Sequence, residues 1–159
     1  MAQEKPERQV VASNRRARHD YEILDRYEAG IALLGPEVKS LRNGKANLTD
    51  GYAFLRRGEV WLAHVHIGPY EKAWRDNVDP RRERKLLLHR NEIARMASKV
   101  AERGLTLIPL QLYFKNGRAK VELGLCRGKQ RHDKRHSIKD REMQRDLQRT
   151  MRGRGRSRE

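Results

Sequence analysis

The sequence predicts a mainly β domain with helices, an α+β fold in which a small antiparallel barrel of about six strands precedes a basic tail. Three observations carry this expectation. Several stretches alternate apolar and polar residues with period two, and Asn116-Gly117 between two of them is a strong hairpin signal. Between the strand-like stretches lies one clear helical stripe, Ile93, Met96, Ala97 and Val100. Apolar residues then almost vanish after Gly128, and residues 129–159 carry 12 Lys and Arg against 5 Asp and Glu. Such a segment lacks the apolar area to offset its conformational entropy, so it is expected to be disordered until a partner neutralises it.

The 159 residues suit one domain with tails, expected as a monomer and divided into a flexible leader (1–13), a barrel (14–128) and a basic tail (129–159). The net charge of +16 is shared, with +2 on residues 1–20, +7 on 21–128 and +7 on the tail. Positive charge on body and arm alike favours a polyanion, and above all a nucleic acid. A single cysteine, Cys126, excludes an internal disulfide and any cysteine-based zinc site; in a final strand it reads as a small buried residue. The N-terminus has no apolar core for a secretory signal, and no run approaches the ~18 apolar residues of a membrane span. The expectation is a cytoplasmic protein without membrane contact, cofactor or metal.

Residues 1–13 are polar and carry little information. Asn14-Arg15-Arg16-Ala17-Arg18-His19 is a cationic cluster beside the first strand, suited to gripping phosphates. Tyr21, Ile23, Tyr27, Ala29, Ile31 and Leu33 share one parity, broken by Asp25, and Gly30 permits a bulge or bend. Glu28 falls on the opposite face, where an acid in a basic protein can accept from base or ribose donors. Residues 35–44 read as a short helix with Pro36 in its first turn, Glu37 at its positive end and Gly44 after it. Val38 and Leu41 point one way and Lys39, Arg42 and Lys45 form a basic edge, so the helix is expected to plug an open end of the barrel.

Residues 46–57 and 59–68 read as two strands joined at Arg57-Gly58-Glu59. Tyr52 and Phe54 alternate in the first; Trp61, Ala63, Val65 and Ile67 alternate in the second, with His64 and His66 on its other face. The two histidines have no evident third ligand for a metal. Residues 69–84 form a long loop of mixed charge with Tyr70 and Trp74. Its basic end runs into Leu86-Leu87-Leu88, where some leucines seal the core and another can stay on the surface beside Lys85. A helix over 89–103 follows, capped by His89 or Asn91 and ended by Gly104. Strands over 105–115 and 118–127 flank Asn116-Gly117, with Pro109 at an edge or a bulge. In the tail, Met143, Leu147 and Met151 recur every four residues, one thin apolar row that is expected to fold as a helix on contact with RNA. An OB-like barrel is the common RNA-binding solution of this size.

Five stretches together are similar to the signatures of the SmpB family, the bacterial SsrA-binding proteins. They are Asn14 to Tyr21 (NRRARHDY), Tyr27-Glu28-Ala29-Gly30, Glu37 to Arg42 (EVKSLR), Arg84 to Leu88 (RKLLL) and Gly128 to Arg135 (GKQRHDKR). The resemblance implies an OB-like barrel with three helices that binds the tRNA-like domain of transfer-messenger RNA. Family members and that RNA together mimic a tRNA and rescue stalled ribosomes by trans-translation. By motif position the resemblance assigns RNA binding to Asn14, Glu28 and Leu87. Phosphate contacts fall to Arg15, Arg16, Arg18, His19, Lys39, Arg42, Lys45 and Lys85. Gly128, Lys129, His132, Asp133, Lys134 and Arg135 match the tail motif that works at the ribosomal decoding centre, and residues through Met151 would follow as a helix in the empty mRNA channel.

Two rival readings remain at this stage. A general or ribosomal RNA-binding protein or RNA chaperone would bind many RNAs alike. A small ribonuclease using His19, Glu28 or His66 would need a paired nucleophile, ligand set or phosphate loop, and none is visible in the sequence.

Overall fold

The computed structural model describes residues 7–128, 143 and 145–149. The chain divides into two compact units, Met1–Gly128 and Lys129–Glu159. In the second unit residues 143 and 145–149 are helical, with Met143 and Leu147 exposed. The tail residues Lys129, His132, Asp133, Lys134, Arg135 and Met151, singled out above, lie outside the described residues.

The first unit is an antiparallel sheet with helices, as the alternation requires. Its strands are β1 (Gln9–Ser13), β2 (Tyr21–Ile31), β3 (Ala46–Asn47), β4 (Tyr52–Arg56), β5 (Glu59–Ala63), β6 (His66–Ile67), β7 (Arg84–Leu87), β8 (Thr106–Lys115) and β9 (Arg118–Gly128). Helices α1 (Arg15–Asp20), α2 (Gly35–Arg42) and α3 (Arg90–Arg103) lie between them. The main sheet runs β1-β8-β4-β5-β7-β2-β9, and β9 pairs back onto β8, so six strands close into a ring with β1 added outside it. Two tight turns hold this register: Arg57-Gly58 and Asn116-Gly117 both have positive φ at both residues, the geometry that matches the twist of hairpin strands.

Two bulges divide the apolar residues between a large and a small core. Pairing of β2 with β9 shifts between Ile23 and Asp25, and pairing of β8 with β9 shifts between Pro109 and Gln111. Because side chains alternate strictly, one extra residue moves everything beyond it to the other face. Tyr21 and Ile23 therefore pack on Ala17, Ile108, Leu110 and Cys126, whereas Tyr27, Ala29 and Ile31 enter the main core with Leu62, Met96, Leu112 and Leu123. The sequence placed a bend at Gly30; the register change comes six residues earlier, where Asp25 interrupts the apolar parity. Helix α3 sends Met96 into the main core and ends at Gly104, whose φ of 60° permits the left-handed cap.

Four further expectations are corrected. The last five residues of the leader are β1, because β4 pairs with β8 only at Leu107 and leaves the rest of that edge open to Gln9–Ser13. The basic cluster is helix α1, started by the side chain of Asn14 accepting from the Ala17 N–H at 3.1 Å. The two long strands over 46–57 and 59–68 are each broken: residues 48–51 turn after β3, and His64 adopts φ 59° between β5 and β6. That left-handed residue resets the alternation, so Val60 and Leu62 point inward before it and Val65 and Ile67 after it, leaving Tyr52 and Trp61 toward the outside. The loop before β7 is not structureless, since Glu71–Asp76 forms a 3-10 turn and its last arginine, Arg84, begins β7.

Candidate nucleic-acid interface

The outer face of the ring carries one assembled polar group, centred on Glu28. Tyr113 donates its hydroxyl to Glu28 Oε2 at 2.5 Å, and Lys115 Nζ lies 3.2 Å from Oε1. Arg8 reaches the same carboxylate at 3.7 Å, bonds Glu122 at 2.7 Å and lies 4.4 Å over the Tyr113 ring; Arg26 closes the set on Glu122 at 3.2 Å. The hydrogen bond from Tyr113 is the main cause holding the Glu28 carboxyl below its ordinary range, with Lys115 and Arg8 adding to it, so Glu28 is ionised at neutral pH. Burial, reinforced by Glu28, pushes the Tyr113 phenol up, so it remains a donor. Three cations against two acids leave this face positive, and each cation is held in place by a carboxylate.

Beside Glu28 lies a cleft of about 470 Å³ formed with Gly30, Leu87, Leu88, His89, Glu92 and Lys120. Leu87 is 54% exposed at its edge while its neighbour Leu86 is buried, which is the division of the leucine triplet that the basic flank suggested. Gly30 pairs with Leu87, and a Cβ at Gly30 would stand 3.2 Å from the Leu87 Cβ, so glycine lets the leucine lie across β2. A second cleft of about 350 Å³ continues past Leu87 to Val38, Phe114 and Arg118, and Arg42 stands 5.6 Å over the Phe114 ring. Exposed apolar surface rimmed by positioned cations suits a ligand with flat bases and a phosphate backbone. Among the described residues no group of three His, Cys, Asp or Glu side chains is placed to hold a metal ion.

Helix α2 is held by a pair that the sequence reading missed. Arg84, assigned above to a surface basic run, is fully buried. Its Nε donates to Glu37 Oε2 at 2.5 Å, and its other nitrogens donate to the carbonyls of Val65 and Pro80 at 2.9 and 3.0 Å. Arg82 and the Leu34 N–H bond the same carboxylate. Burial alone would raise the Glu37 carboxyl, but Arg82, the Leu34 N–H and Arg84 outweigh it and hold it below its ordinary range. The pair anchors α2, on which Lys39 and Arg42 are exposed, with Lys45 exposed just beyond its end.

The remaining predicted residues are elsewhere. Arg15, Arg16, Arg18 and His19 are exposed on α1, with Arg16 3.4 Å and His19 3.0 Å from Asp20. They sit at the start of β2, beside Gly128, which pairs with Tyr21; Glu28 lies roughly 23 Å further along that strand at about 3.3 Å per residue. Lys85 is on the outer face, 3.1 Å from Glu59. Asn14 is not on the surface at all. It is 4% exposed, and its Nδ2 donates to the carbonyls of Pro109 and Leu48 at 3.0 and 3.2 Å, while its backbone N–H donates to Leu110 at 2.8 Å. The Pro109 carbonyl lies at the β8 bulge and the Leu48 carbonyl in the turn after β3, and Asn14 satisfies both. Arg8, Arg26, Tyr113, Lys115 and Glu122 were not read as site residues. The parity that buries Leu112 and Phe114 does place Tyr113 and Lys115 on the outer face; Arg8 joins them only through the register of β1.

A family model described as "SmpB protein" matches residues 11–153. The chain is 58% identical to the SsrA-binding protein of Thermobifida fusca (strain YX) over 145 residues, covering 91% of each chain. It is 55% identical to that of Desulforudis audaxviator (strain MP104C) over 153 residues, covering 96% of this chain and 99% of the other. A solved structure described as "tmRNA-SmpB: a journey to the center of the bacterial ribosome" superposes with a TM-score of 0.65 at 56% identity, covering 80% of this chain and 93% of that one.

Proposed function

Because the chain belongs to the SmpB family, we propose that it binds the tRNA-like domain of transfer-messenger RNA and brings that RNA to stalled ribosomes in trans-translation. The observation that carries this reading is the exposed Leu87 beside the braced Glu28, in a chain that aligns with SsrA-binding proteins over nearly its whole length. On the folded unit, Leu87 offers an apolar contact to a base, Lys115, Arg42, Lys39 and Lys45 meet phosphates, and Glu28 keeps Arg8 and Lys115 positioned while Oε1 keeps acceptor capacity toward the RNA. The cations of α1 lie at the other end of β2 and serve a different stretch of RNA. Asn14 acts through the fold, by securing α1 and the β8 bulge.

The tail carries the second role. A ribosome with message beyond the A site has its channel occupied and excludes a basic arm, whereas a truncated message leaves RNA walls that attract one. His132 stacks on a base of the decoding centre, Lys134 and Arg135 grip phosphates, and the segment through Met151 folds as a helix in the channel. The protein selects by shape and charge, performs no chemistry and works in the cytoplasm.

Competition binding of the full-length protein near physiological salt tests this. Labelled tRNA-like domain is competed with ordinary tRNA and with unstructured RNA; a preference of about a hundredfold or more for the tRNA-like domain is expected. Equal affinities that collapse together as salt rises would show a general RNA-binding protein instead.

A further inference from the structure

Trp74 is 84% exposed, and its backbone stands at φ 48°, ψ −103°, a conformation unfavourable to any residue with a Cβ. Neither feature aids folding: the ring buries little, and glycine would accept the backbone more readily. The loop that carries it is firmly built. Asn77 closes its base, accepting from the Tyr70 N–H at 3.0 Å and donating to the Tyr70 carbonyl at 2.9 Å. The Ala73 N–H bonds the Tyr70 carbonyl at 3.0 Å, and just behind the loop Pro80 is tied to the Ile67 N–H and to buried Arg84. The loop also meets the basic edge of α2: Lys39 lies 5.5 Å from the Tyr70 ring centre and Lys45 3.8 Å from Glu71. Lys72 and Arg75, both exposed, belong to the same turn as Trp74, so with Lys39 and Lys45 against its base the loop gathers four cations to Glu71 and Asp76.

We propose that Trp74 is a stacking anchor, inserted against an unpaired base of the same RNA whose phosphates the α2 cations hold. A large flat ring held away from the body on a braced loop offers its face at little entropic cost. The surrounding positive charge favours a nucleic acid over an apolar protein groove. This inference rests on the reading that α2 faces the tRNA-like domain.

The test titrates full-length protein and its Trp74→Ala variant with the tRNA-like domain, following both RNA anisotropy and tryptophan emission. Binding should quench wild-type emission, and the quench should vanish in Trp74→Ala although Trp61 still emits. Affinity should fall about tenfold, with an unchanged salt slope because no phosphate contact is lost. Trp74→Phe should retain most of the affinity. Trp74→Gly should melt at a higher temperature than wild type yet bind as weakly as the alanine variant. Wild-type affinity in Trp74→Ala with an undiminished quench overturns the proposal. A wild-type protein without preference for the tRNA-like domain over ordinary tRNA instead refutes the function on which it rests, and that result is read without any variant.

Discussion

Replacing Glu28 with alanine raises the net charge of the chain from +16 to +17, so simple Coulombic attraction predicts tighter RNA binding. The geometry predicts the opposite. Tyr113 is buried and loses its carboxylate acceptor, and a hydrogen bond to a charged partner contributes about 1.5–3 kcal/mol, so the variant should lose about 2 kcal/mol of stability. Lys115, now held at 3.2 Å, loses the group that positions it, whereas Arg8 loses its weaker contact at 3.7 Å and stays on Glu122 at 2.7 Å. Immobilising Lys115 anew on RNA costs about 0.5–1.5 kcal/mol, so affinity should fall roughly two- to tenfold. Anisotropy titrations with the tRNA-like domain at two salt concentrations measure the affinity, and urea unfolding measures the stability. Glu28→Gln keeps an acceptor for Tyr113 without the charge and should fall between wild type and alanine. Tighter binding by Glu28→Ala, with a steeper salt slope, would make Glu28 a merely repulsive charge and refute the bracing argument.

Three other perturbations separate the roles of fold and surface. Asn14→Ala removes a helix cap and both donors to buried carbonyls, so urea unfolding should show a loss of about 3 kcal/mol, while the folded variant should bind RNA nearly as wild type does. Glu37→Gln leaves the guanidinium of Arg84 buried without its counter-charge and should cost about 3–5 kcal/mol. Since the folded Glu37 carboxyl lies below its ordinary value of 4.5, its contribution is complete above that pH and is lost as pH falls through the lower folded value. Unfolding curves of Glu37→Gln should therefore show a shallower loss of stability on acidification than wild type. Ending the chain at Gly128 keeps +9 of the net charge and every described element of the first unit, so binding to the tRNA-like domain should survive while tagging on stalled ribosomes is abolished. Loss of that binding on truncation would disprove the division of labour between platform and arm.

Local chemistry was enough to show where several elements turn or end, though not the strand Gln9–Ser13, helix α1 or the break at His64. Asn116-Gly117 and Gly104 accept left-handed geometry at little cost, and Ile93, Met96 and Val100 at helical spacing turn one face of α3 to the core. The composition of the chain alone pointed to a polyanion partner, because net charge needs no fold to act at a distance. Tertiary structure decided which polar groups face a ligand and which hold the fold. Arg84 and Arg82 stand two residues apart in the same basic run, yet Arg84 is fully buried on Glu37 while Arg82 reaches that carboxylate from a partly exposed position. Asn14 precedes three exposed basic residues, yet its side chain is taken up by the Leu48 carbonyl and by the Pro109 carbonyl at a bulge nearly a hundred residues later. The Glu28 group gathers Arg8, Arg26, Tyr113, Lys115 and Glu122 from four parts of the chain. Strand register brings them together, and register depends on where the bulges at Leu24 and Leu110 fall. A single-residue slip there would send each side chain to the opposite face, which is why the residues could be read in order but their partners could not.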